Sequence, residues 1–325
     1  MNRMMIISTG SALPERVLTN FDLEKMIETS DEWITSRSGI KTRRIAGKGE
    51  ETSKLATSAA RKALEMAGLG PEDLDMIVVG TMTSEITMPS CACLVQKDLG
   101  AVNAFAFDIN SACCGFLYAL DIAEKYIKAN PDLNILVIGA ENLSAHVNWQ
   151  DRNTCVLFGD GAGAVIVSGA TPGRGMIAGK MFSDGRLHEL LWMNSAPSLN
   201  PATAIPDHDG SYIKMAGRDV FKYAVRALAE AITYVLNQEG LDIDEVDVIV
   251  PHQANIRILK SLADRLNIPL EKLYINVYKY GNTSAASIPI ALDEANRGGL
   301  LQEGKIVLLC AFGGGFTWGA SLLRW

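Results

Sequence analysis

The sequence predicts an α/β protein in which the second half repeats the first, and three observations carry that prediction. Helical patterns with apolar residues at steps of three and four alternate along the chain with short β-branched runs. Gly68-Leu69, leading into Glu72-Asp73-Leu74-Asp75-Met76-Ile77-Val78, returns 172 residues later as Gly240-Leu241, leading into Asp244-Glu245-Val246-Asp247-Val248-Ile249-Val250. At the same offset Asn110-Ser111-Ala112-Cys113 falls opposite Asn282-Thr283-Ser284-Ala285, and residues 135–138 fall opposite 307–310. Buried strands alternating with helices imply a sheet covered on both faces, here twice over.

The elements follow in order. Residues 4–7 read as a first strand, because Gly10, Pro14 and Glu15 interrupt the run before it could become the apolar stretch of a signal peptide. Residues 53–67 form a helical pattern that leads into the strand after Asp75. Cys91 and Cys93 lie on a further helix. Residues 102–109 read as a strand, and from Ser111 a helix continues through Leu117, Leu120, Ala123 and Ile127. Residues 163–167 match 319–323 at a shorter offset, so the first half is about 16 residues longer than the second. Between them 169–217 is rich in Gly, Pro, Ser and Asp and reads as connecting and capping structure, outside the core. A helix over 220–239 and a strand over 246–250 open the second copy. The expected division is an N-terminal half, 1–170, and a connecting segment with a C-terminal half, 171–325.

Composition excludes several classes. The 325 residues are 48% hydrophobic and 21% charged, as in an ordinary globular protein with ample core. Thirty Lys and Arg against 37 Asp and Glu leave a net charge of −7, with no basic run, which argues against nucleic acid as a main partner. No apolar run approaches the roughly 20 residues that cross a bilayer, so no membrane association is expected. Six cysteines in so long a chain make no disulfide framework and point to a reducing, cytoplasmic compartment. No metal site is expected, since Cys91 and Cys93 have no second cluster of ligands. The glycine-rich segments 158–163 and 312–319 lack the features of a phosphate-binding loop or a dinucleotide fingerprint, and strands follow both.

A few residues could carry chemistry. Cys113 stands where a strand turns into a helix, where the helix dipole favours a thiolate nucleophile; Cys113 and Cys114 also suit two small core residues. His252, in Pro251-His252-Gln253-Ala254-Asn255, follows a strand at its carboxyl end, where α/β sheets bind ligands. His146, His188 and His208 lie in polar, loop-like contexts. Asn282 occupies the repeat position near that of Cys113, so a pseudo-two-fold axis would bring both loops to one crevice; alone, Gly281-Asn282 would mean only a turn. Backbone N–H groups of the glycine-rich turns suit an oxyanion hole.

Taken together, residues 108–116, 251–255, 281–289 and 312–325 resemble the 3-oxoacyl-[acyl-carrier-protein] synthase III family across essentially the whole chain, with Thr29 to Ile34, Arg37 to Ile40 and 158–164 fitting the same pattern. The resemblance implies a thiolase-like, duplicated five-layered α-β-α-β-α fold with pseudo-two-fold symmetry, and a homodimer. It implies an acyltransferase that condenses a short-chain acyl-CoA primer with malonyl-acyl carrier protein (ACP), losing carbon dioxide and starting fatty acid biosynthesis, with no cofactor beyond these substrates. Cys113, His252 and Asn282 would be catalytic, and the N–H groups of Cys113 and Gly314 would form the oxyanion hole. Trp33, Arg37, Arg152, Gly217, Asn255, Phe312 and Met88 would contact coenzyme A or the acyl group. Lys222, Gln253, Ala254, Asn255, Ile256 and Arg257, with Arg265 nearby, would receive the acidic carrier protein. Three departures stand out: Cys114 replaces a small residue, Arg218 replaces an expected Asn, and Met88 falls where an aromatic from the partner subunit often limits the acyl pocket. That flexible Met88 favours a primer larger than acetyl or a branched one. A related synthase making quinolone or polyketide starters would keep the same three residues, and a non-catalytic acyl-binding protein is the other alternative.

Overall fold

The computed structural model of the chain describes residues 3–204 and 210–325; His208 lies outside the described residues. Two sheets organise it. The first runs in the order Met4–Ala12, Gly161–Gly169, Ile135–Glu141, Met76–Gly80, Phe105–Ile109; the last three strands are parallel and the first two are antiparallel to their neighbours. The second runs Val248–Pro251, Ile306–Gly313, Thr317–Arg324, Gly175–Ser183. Its first pair is parallel and the rest antiparallel, and a bridge from Ile249 to Leu273 extends it beyond Val248–Pro251.

Alternation of side chains across each strand sorts the core into layers. Val78, Val137 and Val165 of the first sheet, and Val250, Val307 and Leu309 of the second, face one another across the helices Gly115–Ala129 and Ser287–Arg297. On the opposite face of the first sheet Ile77, Val79, Leu136 and Ile138 pack on helices Thr52–Ala67 and Cys91–Leu99. On the opposite face of the second, Ile249, Leu308 and Leu322 pack on Gly217–Glu239 and Ile256–Leu266. The five layers are therefore helix, sheet, helix, sheet, helix, the thiolase-like architecture. The central helices are apolar because both faces are covered; each fully buried Leu or Ile there contributes about 1.5–3 kcal/mol.

The repeat offset holds in three dimensions. The strands Met76–Gly80 and Val248–Pro251, the turns Ala112–Cys114 and Ser284–Ala286, and the central helices starting at Gly115 and Ser287 each begin 172 residues apart. Ala112 (φ 46°) and Ser284 (φ 48°) even share the left-handed backbone that residues other than glycine seldom adopt.

Two readings are corrected. Residues 169–217 are not only connecting structure, because Gly175–Ser183 is an edge strand of the second sheet, paired antiparallel with Thr317–Arg324. Glycines at 173, 175 and 179 and a half-exposed face hide its alternation. The strand expected over 102–109 starts only at Phe105, since Val102 sits in an exposed turn.

Candidate active site

The carboxyl ends of the parallel strands open on one cavity of about 1190 Å³, and Cys113, His252 and Asn282 all line it. Cys113 reaches it from the one-turn 3-10 helix Ala112–Cys114, which follows the strand Phe105–Ile109 and precedes Gly115–Ala129. Behind it Gly313 is held so close that an added Cβ would lie 2.8 Å from the Cys113 amide nitrogen. Burial pushes the Cys113 thiol up to about 12, against the opposing pull of the Ser284 hydroxyl and the residue's own N–H. The expectation of a resting thiolate is thereby corrected: at neutral pH the sulfur carries its proton, because desolvating the charge outweighs the local donors.

His252 follows Val248–Pro251, and its amide donates to the Cys310 carbonyl of the neighbouring strand at 2.8 Å. Its Nδ1 lies 2.6 Å from the Ser287 hydroxyl. Burial pulls the imidazole down to about 4, so the ring is neutral at physiological pH. Asn282 is pinned to the glycine-rich loop of the other half: its amide donates to Leu157 O at 2.8 Å, and Gly159 N–H donates to its carbonyl at 3.0 Å. The Asn282 side-chain oxygen accepts from Ser284 N at 2.8 Å, which fixes the amide flip and leaves Nδ2 as the free-facing donor. Glu141, at the end of the strand Ile135–Glu141, is buried and raised to about 7, accepting from Thr83 Oγ1 at 2.5 Å.

Trp33, Arg37, Gly217, Arg218, Asn255, Arg257, Phe312 and Gly314 line the same cavity. Arg152 stands beside it with its guanidinium 4.9 Å from the Trp33 ring centroid, and Arg37 lies 6.0 Å from that ring. At 4.9 Å the Trp33–Arg152 pair is closed; a flat base between them needs roughly 7 Å, two stacking distances, so the pair must part to admit one. Asn255 caps the helix Ile256–Leu266 by accepting from Arg257 N at 2.8 Å, while its Nδ2 donates to Arg37 O at 3.1 Å.

Lys222 and Arg257 are exposed, Ala254, Asn255 and Ile256 half-buried. Gln253 does not belong to a docking surface. Its side chain is buried, donates to Pro251 O and Tyr274 O, and accepts from the amides of Asn276 and Val277. Met88 is 86% exposed and does not line the cavity of its own chain. Sequence reasoning missed Ser287 and Glu141. An acid at a strand's carboxyl end was a signal for the second, and the repeat offset, which pairs Ser287 with Gly115, was one for the first.

A buried cysteine, a neutral histidine and an amide on one deep cavity between two repeated sheets define an acyl-transferring condensing enzyme of the thiolase fold. The profile described as 3-oxoacyl-[acyl-carrier-protein (ACP)] synthase III matches residues 107–185, and the corresponding C-terminal profile matches 236–325. A beta-ketoacyl-[acyl-carrier-protein] synthase III of Desulfotalea psychrophila is 53% identical over 99% of this chain and 99% of its own. The crystal structure of 3-oxoacyl-[acyl-carrier-protein] synthase III from Aquifex aeolicus superposes with a TM-score of 0.92 at 51% identity, covering 100% of both chains. The priming beta-ketosynthase of the R1128 polyketide pathway superposes at 0.91 with 34% identity, covering 99% of this chain and 96% of its own. The chain belongs to the 3-oxoacyl-[acyl-carrier-protein] synthase III family. It is an acyltransferase.

Proposed function

We infer that the chain joins a short-chain acyl-CoA primer to malonyl-ACP with loss of carbon dioxide, giving 3-oxoacyl-ACP and free coenzyme A and initiating fatty acid biosynthesis. The observation that carries this reading is the convergence of Cys113, His252 and Asn282, drawn from both halves of the chain, on one cavity. The halves 1–170 and 171–325 supply, respectively, the nucleophile and its two partners.

Cys113 Sγ attacks the primer thioester, and the N–H groups of Cys113 and Gly314 hold the oxyanion. The carbon–sulfur bond to coenzyme A breaks, and the thiol proton leaves with the departing sulfur. Malonyl-ACP then enters; carbon dioxide departs, and the enolate oxygen accepts from His252 Nε2–H and Asn282 Nδ2–H. The enolate carbon attacks the acyl-Cys113 carbonyl, the carbon–sulfur bond to Cys113 breaks, and the departing thiolate takes a proton from solvent to restore the thiol. A neutral imidazole is the suitable donor, because it gives its hydrogen bond without the cost of a buried cation. One cavity serving two substrates in turn gives ping-pong kinetics.

Trp33 and Arg152 would open around the adenine, with Arg37 and Arg218 available to phosphate. Gly217, Asn255 and Phe312 would line the path to the nucleophile. Lys222 and Arg257, flanked by Ala254, Asn255 and Ile256, would receive the acidic carrier protein, a local positive rim on a chain of net charge −7. No helix among the described residues is long and apolar enough to cross a membrane, and all six cysteines are free, which supports residence in a reducing cytoplasm. A homodimer is supported by the edge strand Phe105–Ile109, whose Phe105 is exposed, and by the exposure of Val102, Met88 and Ile86. Across such an interface Met88 would reach the partner's acyl pocket.

The test is intact mass after incubation with a panel of acyl-CoA primers. Wild type and Cys114→Ala are expected to gain the acyl mass and Cys113→Ala is not. A gain with acetyl-CoA alone would remove the larger-primer expectation, and no gain with any primer would favour the acyl-binding alternative.

A further inference from the structure

One pair of facing positions distinguishes the chemistry of the two copies of the repeat. An offset of 172 places His252 on Gly80 and Ser287 on Gly115. In the N-terminal half these positions close by bare backbone: a Cβ added at Gly80 would run into the Gly115 carbonyl carbon and lie 2.7 Å from its oxygen. In the C-terminal half the same two places hold a buried hydrogen-bonded pair, His252 Nδ1 and Ser287 Oγ, 2.6 Å apart. The duplication thus keeps the frame and exchanges a Gly–Gly contact for a His–Ser one.

The direction of that hydrogen bond follows from its neighbours. Ser287 opens the helix Ser287–Arg297, yet its side chain caps nothing there and turns instead to the histidine. The Gln253 amide donates to Ser287 Oγ at 3.3 Å. Gln253 cannot swing away, since its side chain is tied to Pro251, Tyr274, Asn276 and Val277. Among the described residues no acceptor other than His252 Nδ1 meets the buried hydroxyl, so its single proton is satisfied only by donation to that nitrogen. Nδ1 is then an acceptor, and in the neutral ring the only hydrogen sits on Nε2.

We propose that Ser287 is a positioning residue that locks His252 in the Nε2–H tautomer, so that the imidazole presents a donor to the cavity during decarboxylation. The proposal rests on the donor role of His252 inferred above. Ser287 touches no substrate; it acts through the ring, as the residues behind catalytic histidines generally do.

The test uses the full chain with 15N-labelled histidine, the His252 signals being identified by their absence from His252→Gln. Wild type at pH 7 is expected to show a protonated Nε2 and an unprotonated Nδ1. In Ser287→Ala that single pattern is expected to give way to a mixture of tautomers. The condensation kcat is expected to fall about 10- to 100-fold while KM for malonyl-ACP stays close to wild type. Acylation of Cys113 by the primer should persist, which shows that the variant is folded, and Ser287→Thr, which keeps the hydroxyl, should recover most of the rate. A protonated Nδ1 in the wild type, or a Ser287→Ala enzyme with an unchanged tautomer and unchanged kcat, would overturn the proposal. Undiminished malonyl-ACP decarboxylation by His252→Gln would instead sink the donor role itself, leaving the tautomer result to stand separately.

Discussion

His252 shows how burial sets the chemistry of a side chain. The unfolded ring accepts a proton near 6.5, while the folded site refuses it until about 4. Between those values protons bind preferentially to the unfolded chain, so the neutral ring's contribution is fully present above pH 6.5 and is lost as the pH falls towards 4. The loss amounts to about 2–3 kcal/mol at pH 4.5. Denaturant unfolding of wild type and His252→Gln at pH 7 and pH 4.5 isolates this from other groups: wild type should lose more stability on acidification than the variant, by about that amount. Equal losses would mean the ring is not held neutral. Cys113 is subject to the same desolvation with the opposite sign, which keeps its sulfur protonated until a substrate arrives to take the proton.

At the level of strands and helices, the site depends on a close approach between the turn bearing Cys113 and the end of the strand Ile306–Gly313. Gly313 is buried, and a methyl there would meet the Cys113 amide nitrogen at 2.8 Å and its Cβ at 2.9 Å. Neither atom is the far end of a flexible side chain, so the turn itself must shift. Gly313→Ala is expected to cost about 1–3 kcal/mol in thermal or denaturant unfolding. It should also slow acylation of Cys113 by at least tenfold, through displacement of the sulfur and the neighbouring N–H. An acylation rate and a melting temperature both equal to wild type would refute this. The same logic explains the lack of a nucleotide fingerprint in 312–319: its glycines admit a neighbouring backbone, and a strand follows where a nucleotide fold would place a helix.

The assembly of the chain leaves one edge unfinished. The strand Phe105–Ile109 ends the first sheet with no further strand paired to its outer side among the described residues; its own Phe105 is 49% exposed and Val102, in the preceding turn, 81%. Edge strands with apolar neighbours pair with another chain unless something blocks them. Sedimentation of wild type is expected to give a dimer and that of a Val102→Asp/Phe105→Asp variant a monomer with reduced condensation activity; a monomeric wild type at micromolar concentration would contradict the interface. The opposite edge is Met4–Ala12, whose counterpart in the second sheet is Gly175–Ser183; beyond Val248–Pro251, where the counterpart of Phe105–Ile109 would lie, there is only the bridge from Ile249 to Leu273, so the two halves are not equally open.

Much of this was legible in the amino-acid order. The 172-residue repeat, the alternation of buried strands and helices, the places of Cys113 and His252 after strands and that of Asn282 at the matching repeat position all rest on local pattern, and local pattern is what a sequence records directly. The strand Gly175–Ser183 escaped because its glycines and half-exposed face leave no clear period, and only pairing with Thr317–Arg324 makes it a strand. Gln253 was misplaced on the surface because its neighbours in the chain are exposed while its own side chain turns inward to four backbone groups. Identity and order specified which residues could react and that the chain was built twice. The protonation of Cys113, the neutrality of His252 and its partnership with Ser287 came from packing residues far apart in sequence, because desolvation and hydrogen-bond direction are properties of the assembled interior and of no single stretch of chain.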